Sequence, residues 1–294
     1  MKVQTEVAVY EVGDATITRV TDRMLDTLVA PKIFPDWSSD AVRDTGLGMI
    51  PEHLGEDGER LIMSVHSWLV RVGGKTVLID TGIGNGKSRP FNPVFHDLNT
   101  NYLGRLALAG VSPAEVDLVL LTHLHVDHVG WNTVLADGEW IPTFPNARHV
   151  YSQVEEDFYA TPEGASRRMV FDDSVRPLID AGLVERIGPE GRRYDEHFTF
   201  HPTPGHSAGH MSIGLVSAGE HALFGGDVMH HPVQLTFPAW NSGFCGDSAT
   251  SRRSRAWALD HVVDRNALYF SSHFADTSVV RHSHVAGASR WSFV

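Results

Sequence analysis

The chain has 294 residues, of which 42% are hydrophobic and 20% are charged, and this composition is typical of a soluble globular protein with a sizeable core. Its formal net charge of −12 argues against nucleic acid as a partner, because proteins neutralise phosphates with basic patches. The single cysteine, Cys245, excludes an internal disulfide. It also excludes thiolate metal sites as a class, so any metal is expected to be held by nitrogen and oxygen atoms.

The amino terminus carries no apolar segment of the kind found in signal peptides, and no apolar run approaches the ~18 residues that cross a membrane. We therefore expect a cytoplasmic protein without a membrane partner. Eighteen histidines are many for this length. The excess suggests metal chemistry, with a histidine-rich surface as the alternative.

The first part of the chain is predicted to be β-structure followed by an irregular segment. Residues 7–20 alternate apolar and polar side chains around Gly13-Asp14, which is the pattern of a β-hairpin. Residues 24–60 are rich in proline, glycine and aspartate without a clear period. They predict a long irregular excursion, for which a cap over a pocket is one use.

Two strands and a helix are predicted next. Residues 61–72 and 76–79 read as strands joined by a glycine turn, and Asp80 at the end of the second strand is a candidate to support a functional site. Residues 97–109 carry helical spacing, and Gly110 ends it.

A short capped turn then leads into a buried strand. Ser112, Pro113 and Glu115 form the pattern of a capping box with proline at the first helical position. The apolar run Val116–Leu121 predicts a buried strand with functional residues at its carboxyl end, as in open α/β layers.

The later part of the sequence is predicted to alternate strands and helices. The predicted strands lie at 147–151, 183–187, 198–200, 211–216, 221–226 and 267–271, and the predicted helices at 163–180 and 251–264. No repeat or low-complexity linker divides the sequence. We predict a single domain over residues 1–294 with two sheets and helices outside them.

The strand at 116–121 is followed by four potential metal ligands within six residues, namely His123, His125, Asp127 and His128. In an extended segment His123 and His125 project to the same side and can hold one ion. His128 has the other parity, so the chain must turn after His125, and Asp127 and His128 can then address a second ion. A single histidine on an apolar strand is usually a core residue, but four ionisable groups here would be costly to bury without a cation.

Three later residues extend the pattern: His206 after Pro204-Gly205, Asp227 at a strand end after two glycines, and His273. In order and rough spacing, the seven residues resemble the ligand set of the metallo-β-lactamase superfamily, and the resemblance covers the chain from about Val7 to His273. It implies an α/β fold of the αββα sandwich type and a dinuclear site, usually of zinc.

The resemblance also implies a role for each ligand. His123, His125 and His206 would hold one ion, Asp127, His128 and His273 would hold the other, and Asp227 would bridge them. Paired divalent ions share a hydroxide and polarise a bound carbonyl or phosphoryl oxygen. Asp127 and Asp227 are therefore expected in the catalytic centre of a hydrolase that needs no protein nucleophile.

Several features choose among branches of this superfamily. Asp227 argues against a true β-lactamase, which resembles the pattern without a bridging carboxylate, and the charge disfavours ribonuclease-type members. The segment 226–234 looks more like the branch of N-acyl-homoserine lactonases, 4-pyridoxolactonase, dihydrocoumarin-type lactonases and methyl parathion hydrolase. We therefore predict hydrolysis of a small-molecule lactone or aryl ester, with phosphotriester turnover as a side activity.

Other readings stay open. Glyoxalase II, a thioester hydrolase, resembles the chain in all seven ligands, but it has a shorter interval after the first motif and a helical carboxy-terminal domain for glutathione. A redox member would resemble flavodiiron proteins, which need a flavin domain or partner, and a binding protein with a degenerate site would have lost ligands. The sequence leaves open the substrate, the native metal among zinc, manganese, iron and cobalt, and the oligomeric state, for which a homodimer is one option.

His230 stands three residues after Asp227, where the lactonases with the best-matched motifs place a tyrosine near the substrate carbonyl. We expect His230 to contact the reacting end of the substrate and to shape specificity, and the alternative is an exposed loop residue. Trp131 and Phe91 are candidates to line an apolar pocket, with core packing as the alternative.

Three other histidines and the cysteine are given plainer interpretations. His210 is expected to be structural, because only His206 falls at the ligand position of the family. His201 and His231 carry weaker expectations of touching the chemistry. Cys245 lies outside the ligand pattern and is interpreted as an ordinary small thiol.

Overall fold

The structure, a computed structural model, describes residues 8–43, 52–285 and 288–294. Its strands are β1 (Val9–Val12), β2 (Ala15–Val29), β3 (Arg60–Val72), β4 (Lys75–Ile79), β5 (Leu118–Leu120), β6 (Thr133–Ala136), β7 (Glu139–Pro142), β8 (Arg148–Ser152), β9 (Val184–Ile187), β10 (Arg192–Arg193), β11 (Phe198–Pro202), β12 (Met211–Ser217), β13 (Glu220–Phe224), β14 (Leu268–Phe270), β15 (Val279–Val285) and β16 (Ala288–Phe293). Its α-helices are α1 (Ala30–Ile33), α2 (Ser39–Arg43), α3 (Tyr102–Leu108), α4 (Gln153–Phe158), α5 (Pro162–Ala165), α6 (Arg168–Ser174), α7 (Arg176–Asp180), α8 (Val233–Thr236) and α9 (Ser248–Arg265). Across these described ranges, every helix is too short or too polar to cross a membrane.

The chain forms two compact units. The first comprises Met1–Arg23 and Val65–Pro189, and the second comprises Met24–Ser64 and Glu190–Val294. The single domain expected over residues 1–294 stays a prediction.

Parallel strands position the first predicted ligand motif. In a seven-stranded sheet of order β1-β2-β3-β4-β5-β8-β9, the strands β4, β5, β8 and β9 run parallel, with Val77 opposite Leu118. All three residues of β5 are buried, as expected for a strand that is covered on both faces. Because the carboxyl ends of parallel strands meet at one edge, Asp80 after β4 lies beside the motif that follows β5.

The second unit repeats this arrangement. Its sheet has the order β10-β11-β12-β13-β14-β15-β16, and β13 and β14 are its parallel pair, with Phe224 opposite Phe270. Asp227 and His273 each follow these opposed residues by three positions, so both lie at the carboxyl edge of the pair. The loop between β11 and β12, which contains His206, lies at the same edge, because β12 runs antiparallel to β13.

A long helix completes the core of the second unit. The carboxylate of Asp247 accepts hydrogen bonds from Ala249 N and Thr250 N at the start of α9, and Asn266 ends this helix in the left-handed conformation with φ 49°. Ala258 and Val262 of α9 pack against Tyr269 in the hydrophobic cluster of this unit. The helix predicted at 251–264 is therefore present and begins three residues earlier.

The expected irregular excursion at 24–60 contains more regular structure than predicted. Strand β2 continues to Val29, and α1 and α2 follow it; residues 44–51 lie outside the described residues. The apolar alternation of β2 is interrupted because a buried position is occupied by Asp22, which is 2% exposed. Its carboxylate accepts hydrogen bonds from Ile83 N, Thr100 Oγ1 and Trp131 Nε1, and these bonds replace apolar packing.

The helix predicted at 163–180 is divided into α5, α6 and α7. Pro177 lies in the first turn of α7, where its missing N–H costs nothing, but it cannot continue α6. The stretch is therefore helical, as its apolar spacing predicts, but it forms three short helices instead of one. The capping box at Ser112 and Glu115 is confirmed, with Ser112 N donating to Glu115 Oε2 at 2.8 Å.

Candidate metal centre

A turn after β5 gathers the side chains of the first predicted donor set. The N–H of His128 donates to the carbonyl of His125 at 3.1 Å, so the chain reverses where the parity of the motif required it. The ring centroid of His123 lies 4.6 Å from that of His125 and 4.1 Å from that of His128. Asp127 Oδ1 lies 3.9 Å from His128 Nε2. The first unit therefore brings three imidazoles and one carboxylate together.

Hydrogen bonds at Nδ1 orient two of these rings. His128 Nδ1 lies 2.8 Å from Asp80 Oδ2, and Asp80 is 1% exposed. Thr122 donates its hydroxyl to the same carboxylate at 2.9 Å, and its oxygen lies 3.0 Å from His123 Nδ1. With Nδ1 as the donor in both rings, the lone pair resides on Nε2, which is therefore able to bind a cation. Asp80 thus supports the donor set, as its place at a strand end predicted.

The backbone behind the motif requires glycine at position 130. The N–H of Gly130 donates to the carbonyl of Gly82 at 2.8 Å, and a Cβ added at Gly130 would lie 1.8 Å from the carbonyl carbon of Ile83. The N–H of Thr81 donates to the carbonyl of His128 at 2.7 Å. These contacts hold the loop that bears His128 against the end of β4.

In the second unit, three imidazole nitrogens converge on the carboxylate of Asp227, which is 3% exposed. His206 Nε2 lies 3.2 Å from Oδ2, and His230 Nε2 lies 3.4 Å from Oδ2. His273 Nε2 lies 3.0 Å from Oδ1. All three rings are buried, so water screens these contacts weakly.

The contacts of His273 show that this cluster requires positive charge. Its Nδ1 lies 3.0 Å from the carbonyl oxygen of Ser64, which can only accept, so Nδ1 carries a proton. In the neutral ring Nε2 then holds a lone pair and faces the Asp227 carboxylate. Two lone pairs at 3.0 Å repel each other unless a proton or a metal cation shares them. The donors therefore fit a metal ion, and imidazole nitrogen with carboxylate oxygen suits zinc, manganese, iron or cobalt.

His210 acts on the backbone of Asp227. The N–H of Asp227 donates to His210 Nε2 at 2.8 Å, and His210 Nδ1 lies 2.9 Å from Thr203 Oγ1. The proton of His210 is therefore on Nδ1, and its lone pair orients the residue predicted to bridge the ions. The interpretation of His210 as structural is confirmed.

His230 is 1% exposed, so the alternative of an exposed loop residue is wrong. Its N–H donates to Gln234 Oε1 at 2.7 Å, and its Nδ1 lies 3.1 Å from Ser242 Oγ. Burial lowers the pKa of His230 below its ordinary value, while the carboxylate of Asp227 acts in the opposite direction. Burial is the larger of these two influences on the pKa of His230.

The aromatic candidates for a substrate pocket are held by other contacts. Trp131 is 4% exposed and stacks on Tyr102 with ring centroids 5.1 Å apart. The guanidinium carbon of Arg167 lies 3.8 Å from the ring centroid of Phe91, and Phe91 also packs against the core. Core packing, the alternative given for both residues, describes these contacts.

His201 and His231, for which a part in the chemistry was a weaker expectation, also have structural contacts. His201 lies with its ring centroid 5.2 Å from Trp257 and 4.9 Å from His261. His231 is fully buried and donates from Nε2 to the carbonyl of His53 at 2.9 Å. Burial lowers the pKa of His231 to about 4, so this ring is neutral.

Known proteins resemble the chain over different extents. The N-acyl homoserine lactonase AttM of Rhizobium radiobacter is 29% identical over 122 residues, which are 40% of this chain and 42% of that protein. The matched stretch thus spans about two fifths of that relative. The acyl-coenzyme A thioesterase MBLAC2 of Homo sapiens is 28% identical over 211 residues, which are 66% of this chain and 67% of that protein.

Solved structures cover nearly the whole chain. The hydrolase AbOPH, of the beta lactamase superfamily, superimposes with a TM-score of 0.79 at 23% identity, over 98% of this chain and 97% of that one. The dizinc quorum-quenching lactonase AidC does so with a TM-score of 0.76 at 22% identity, over 98% and 97%. These likenesses confirm the predicted α/β fold. The sequence itself matches the metallo-beta-lactamase superfamily over residues 62–273, and the chain therefore belongs to that superfamily.

Proposed function

We propose that the protein is a metal-dependent hydrolase that opens a lactone or cleaves an aryl ester. The observation that carries the proposal is the buried carboxylate of Asp227, faced at 3.0 to 3.4 Å by three imidazole nitrogens. One of those imidazoles, His273, already uses Nδ1 as a donor to a backbone carbonyl. Membership of the metallo-beta-lactamase superfamily supports the same reading.

In this proposal seven side chains would hold two divalent ions, most simply two zinc ions. The ligands are His123, His125 and His206 for one ion, Asp127, His128 and His273 for the other, and Asp227 for both. Such ions polarise the carbonyl oxygen of a bound ester and supply hydroxide near neutral pH. Asp80 and Thr122 keep the rings of the first set in the tautomer that offers Nε2.

His230 acts on the substrate in this proposal. Its ring is buried, and Ser242 at Nδ1 and Gln234 at the backbone N–H hold it in place. With its proton on Nε2, it donates one hydrogen bond to the substrate carbonyl or to the leaving alkoxide. Losing such a bond typically costs about 1–3 kcal/mol of transition-state stabilisation.

The substrate class rests on the relatives and on Asp227. AttM and AidC carry lactonase in their names, and both resemble this chain. A thioester is the second candidate, because the match to the acyl-coenzyme A thioesterase MBLAC2 covers 66% of the chain. Phosphotriester cleavage is proposed as a side activity.

The test begins with metal analysis of purified protein and continues with a substrate panel. Close to two metals per chain and loss of activity with a chelator are expected; full activity with one equivalent would contradict the dinuclear site. The panel contains lactones, aryl esters, a glutathione thioester, an acyl-coenzyme A thioester, a phosphotriester and a cephalosporin. Lactones or aryl esters should be turned over fastest, and a thioester as the best substrate would favour the second candidate.

A further inference from the structure

Cys245 lies against two histidines of the second donor set. Donor atoms of His206, His230 and Cys245 all lie within 4.8 Å of one another. The two histidines are buried, and the cysteine is half-buried. We infer that these three side chains form a third, thiolate-containing site for a thiophilic divalent cation, and that a cation bound there inhibits the enzyme. The expectation that metals are held by nitrogen and oxygen alone is revised for this site.

Main-chain hydrogen bonds hold Cys245 in this place. The N–H of Gly246 donates to the carbonyl of His206 at 3.1 Å, and the N–H of Asp247 donates to the carbonyl of Gly205 at 2.8 Å. Gly205 has φ +126°, and a Cβ there would lie 2.2 Å from the backbone nitrogen of Ser251. The loop that bears Cys245 is thus bonded directly to the loop that bears His206. The backbone therefore brings the Cys245 and His206 segments together.

The donor separations suit a tetrahedral cation. Ser242 Oγ lies 3.1 Å from His230 Nδ1 and 3.6 Å from Cys245 Sγ, so this hydroxyl lies between the two residues. Zinc–nitrogen bonds of about 2.0–2.1 Å and zinc–sulfur bonds of about 2.3 Å place donors about 3.3–3.8 Å apart. Donor atoms that lie within 4.8 Å of one another have to approach by at most about 1 to 1.5 Å to bind one ion. Small side-chain rotations produce a change of that size.

The buried guanidinium of Arg255 lies close to Cys245. Arg255 is 0% exposed, and its acceptors are all neutral, namely Val228 O, Pro238 O, Asn241 Oδ1 and Ser251 Oγ. Ser251 Oγ also lies 3.2 Å from Cys245 Sγ. The Ser251 hydroxyl therefore links the guanidinium to the sulfur of Cys245, and the thiolate is the form of cysteine that binds metals. The flanking Phe244 is 43% exposed, and Cys245 itself is half-buried.

A cation in this site acts on His206. Its Nε2 lies 3.2 Å from Asp227 Oδ2, and its Nδ1 lies 3.2 Å from His230 Nε2. One imidazole offers two lone pairs only after it loses its ring proton. Binding therefore releases the thiol proton and one imidazole proton to solvent. It also weakens the hold of His206 on its catalytic ion, and this inhibition, unlike the binding itself, rests on the proposed function.

The test titrates the full chain, loaded with two equivalents of zinc, with Cd²⁺. Ultraviolet thiolate-to-cadmium absorption and hydrolysis of the best panel substrate are recorded together. We expect one thiolate-bound cadmium per chain and a parallel loss of activity. Because Cys245 is the single thiol, the absorption reports this site alone. Cys245→Ala should abolish the absorption and weaken the inhibition by about 100-fold or more, since losing a ligand costs at least as much as losing a group that orients one.

Controls separate this site from adventitious binding. His284→Asn changes an exposed histidine on β15 and should leave both readouts unchanged. Cys245→Ser replaces Cys245→Ala if the alanine variant does not fold. Absence of thiolate absorption in the wild type, its full retention in His230→Asn, or unchanged inhibition in the cysteine variant would each overturn the proposal. Failure of the proposed function would appear earlier, as fewer than two zinc equivalents before cadmium is added.

Discussion

Lys87 is a buried cation, and we predict that Lys87→Met stabilises the fold near pH 7 by an amount that shrinks as the pH rises. Its Nζ lies 2.8 Å from Thr133 Oγ1 and 3.8 Å from the ring centroid of Trp140. Arg89 already donates to both carboxylate oxygens of Asp173, at 2.6 and 2.8 Å. The cluster therefore buries two cations against one carboxylate.

The size of the predicted change in the free energy of unfolding follows from the titration of Lys87. Burial lowers its pKa from 10.5 to about 7, Asp173 opposes this shift, and Arg89 adds to it. Between about pH 7 and pH 10.4 the unfolded chain binds one proton more than the folded chain, so the free energy of unfolding rises with pH. Below this window the charged lysine costs up to about 5 kcal/mol, at about 1.4 kcal/mol for each pH unit. From pH 7 to pH 9 that cost falls by about 2 kcal/mol.

Urea unfolding of wild type and Lys87→Met at several pH values measures this effect. The difference in free energy of unfolding should narrow by about 2 kcal/mol between pH 7 and pH 9. The variant also loses the contacts of Nζ, and this loss changes the free energy of unfolding by an amount that does not depend on pH in this range. Lys75→Met, which changes an exposed lysine of the same unit, should show no such narrowing. Parallel pH curves for wild type and Lys87→Met would refute the reasoning.

Three further predictions concern the donor sets. Asp227→Ala should reduce hydrolysis more than His210→Ala. The first variant removes a carboxylate that three imidazoles face, whereas the second removes only a hydrogen bond that orients Asp227. Equal losses of activity, with the metal content of both variants measured, would contradict these roles. His230→Leu should keep its metal content while kcat/KM for a lactone falls by about ten-fold or more and phosphotriester turnover falls less; unchanged kinetics on every substrate would place His230 outside the site. The rate of the wild type should rise with pH through a single limb near neutrality, reporting loss of one proton from the attacking water, and a bell-shaped profile would require a protein acid.

Local rules were enough to predict the elements that carry the donors. The apolar run before Thr122 marked a buried strand, and the opposite parity of His125 and His128 required the turn that the structure shows. The resemblance to a known family supplied the remaining ligand positions, which no local rule connects. Asp80 was recognised because it combines a strand end with a following glycine turn.

The groups that orient the donors carried weaker signals or none. Ser64 bonds His273 through its backbone carbonyl, so any residue type would serve and the sequence gives no hint. Ser242 reaches His230 across a loop, and neither its spacing nor its type marks it. The sequence pattern does not predict that β2 continues past residue 20. Asp22 occupies a position where the pattern requires an apolar side chain, and its carboxylate is satisfied there by hydrogen bonds.

In each unit an aspartate follows the first strand of a parallel pair, but the two aspartates have different roles. In the first unit, Asp80 follows one parallel strand and bonds Nδ1 of His128, so the carboxylate orients a ring whose Nε2 would bind a cation in the proposed function. In the second unit, Asp227 follows the corresponding strand, but Ser64 already occupies Nδ1 of His273. The carboxylate of Asp227 therefore meets Nε2, the nitrogen that would bind a metal, and in the proposed function Asp227 is itself a ligand. Which imidazole nitrogen the backbone engages decides whether the aspartate at a strand end orients a donor or acts as one.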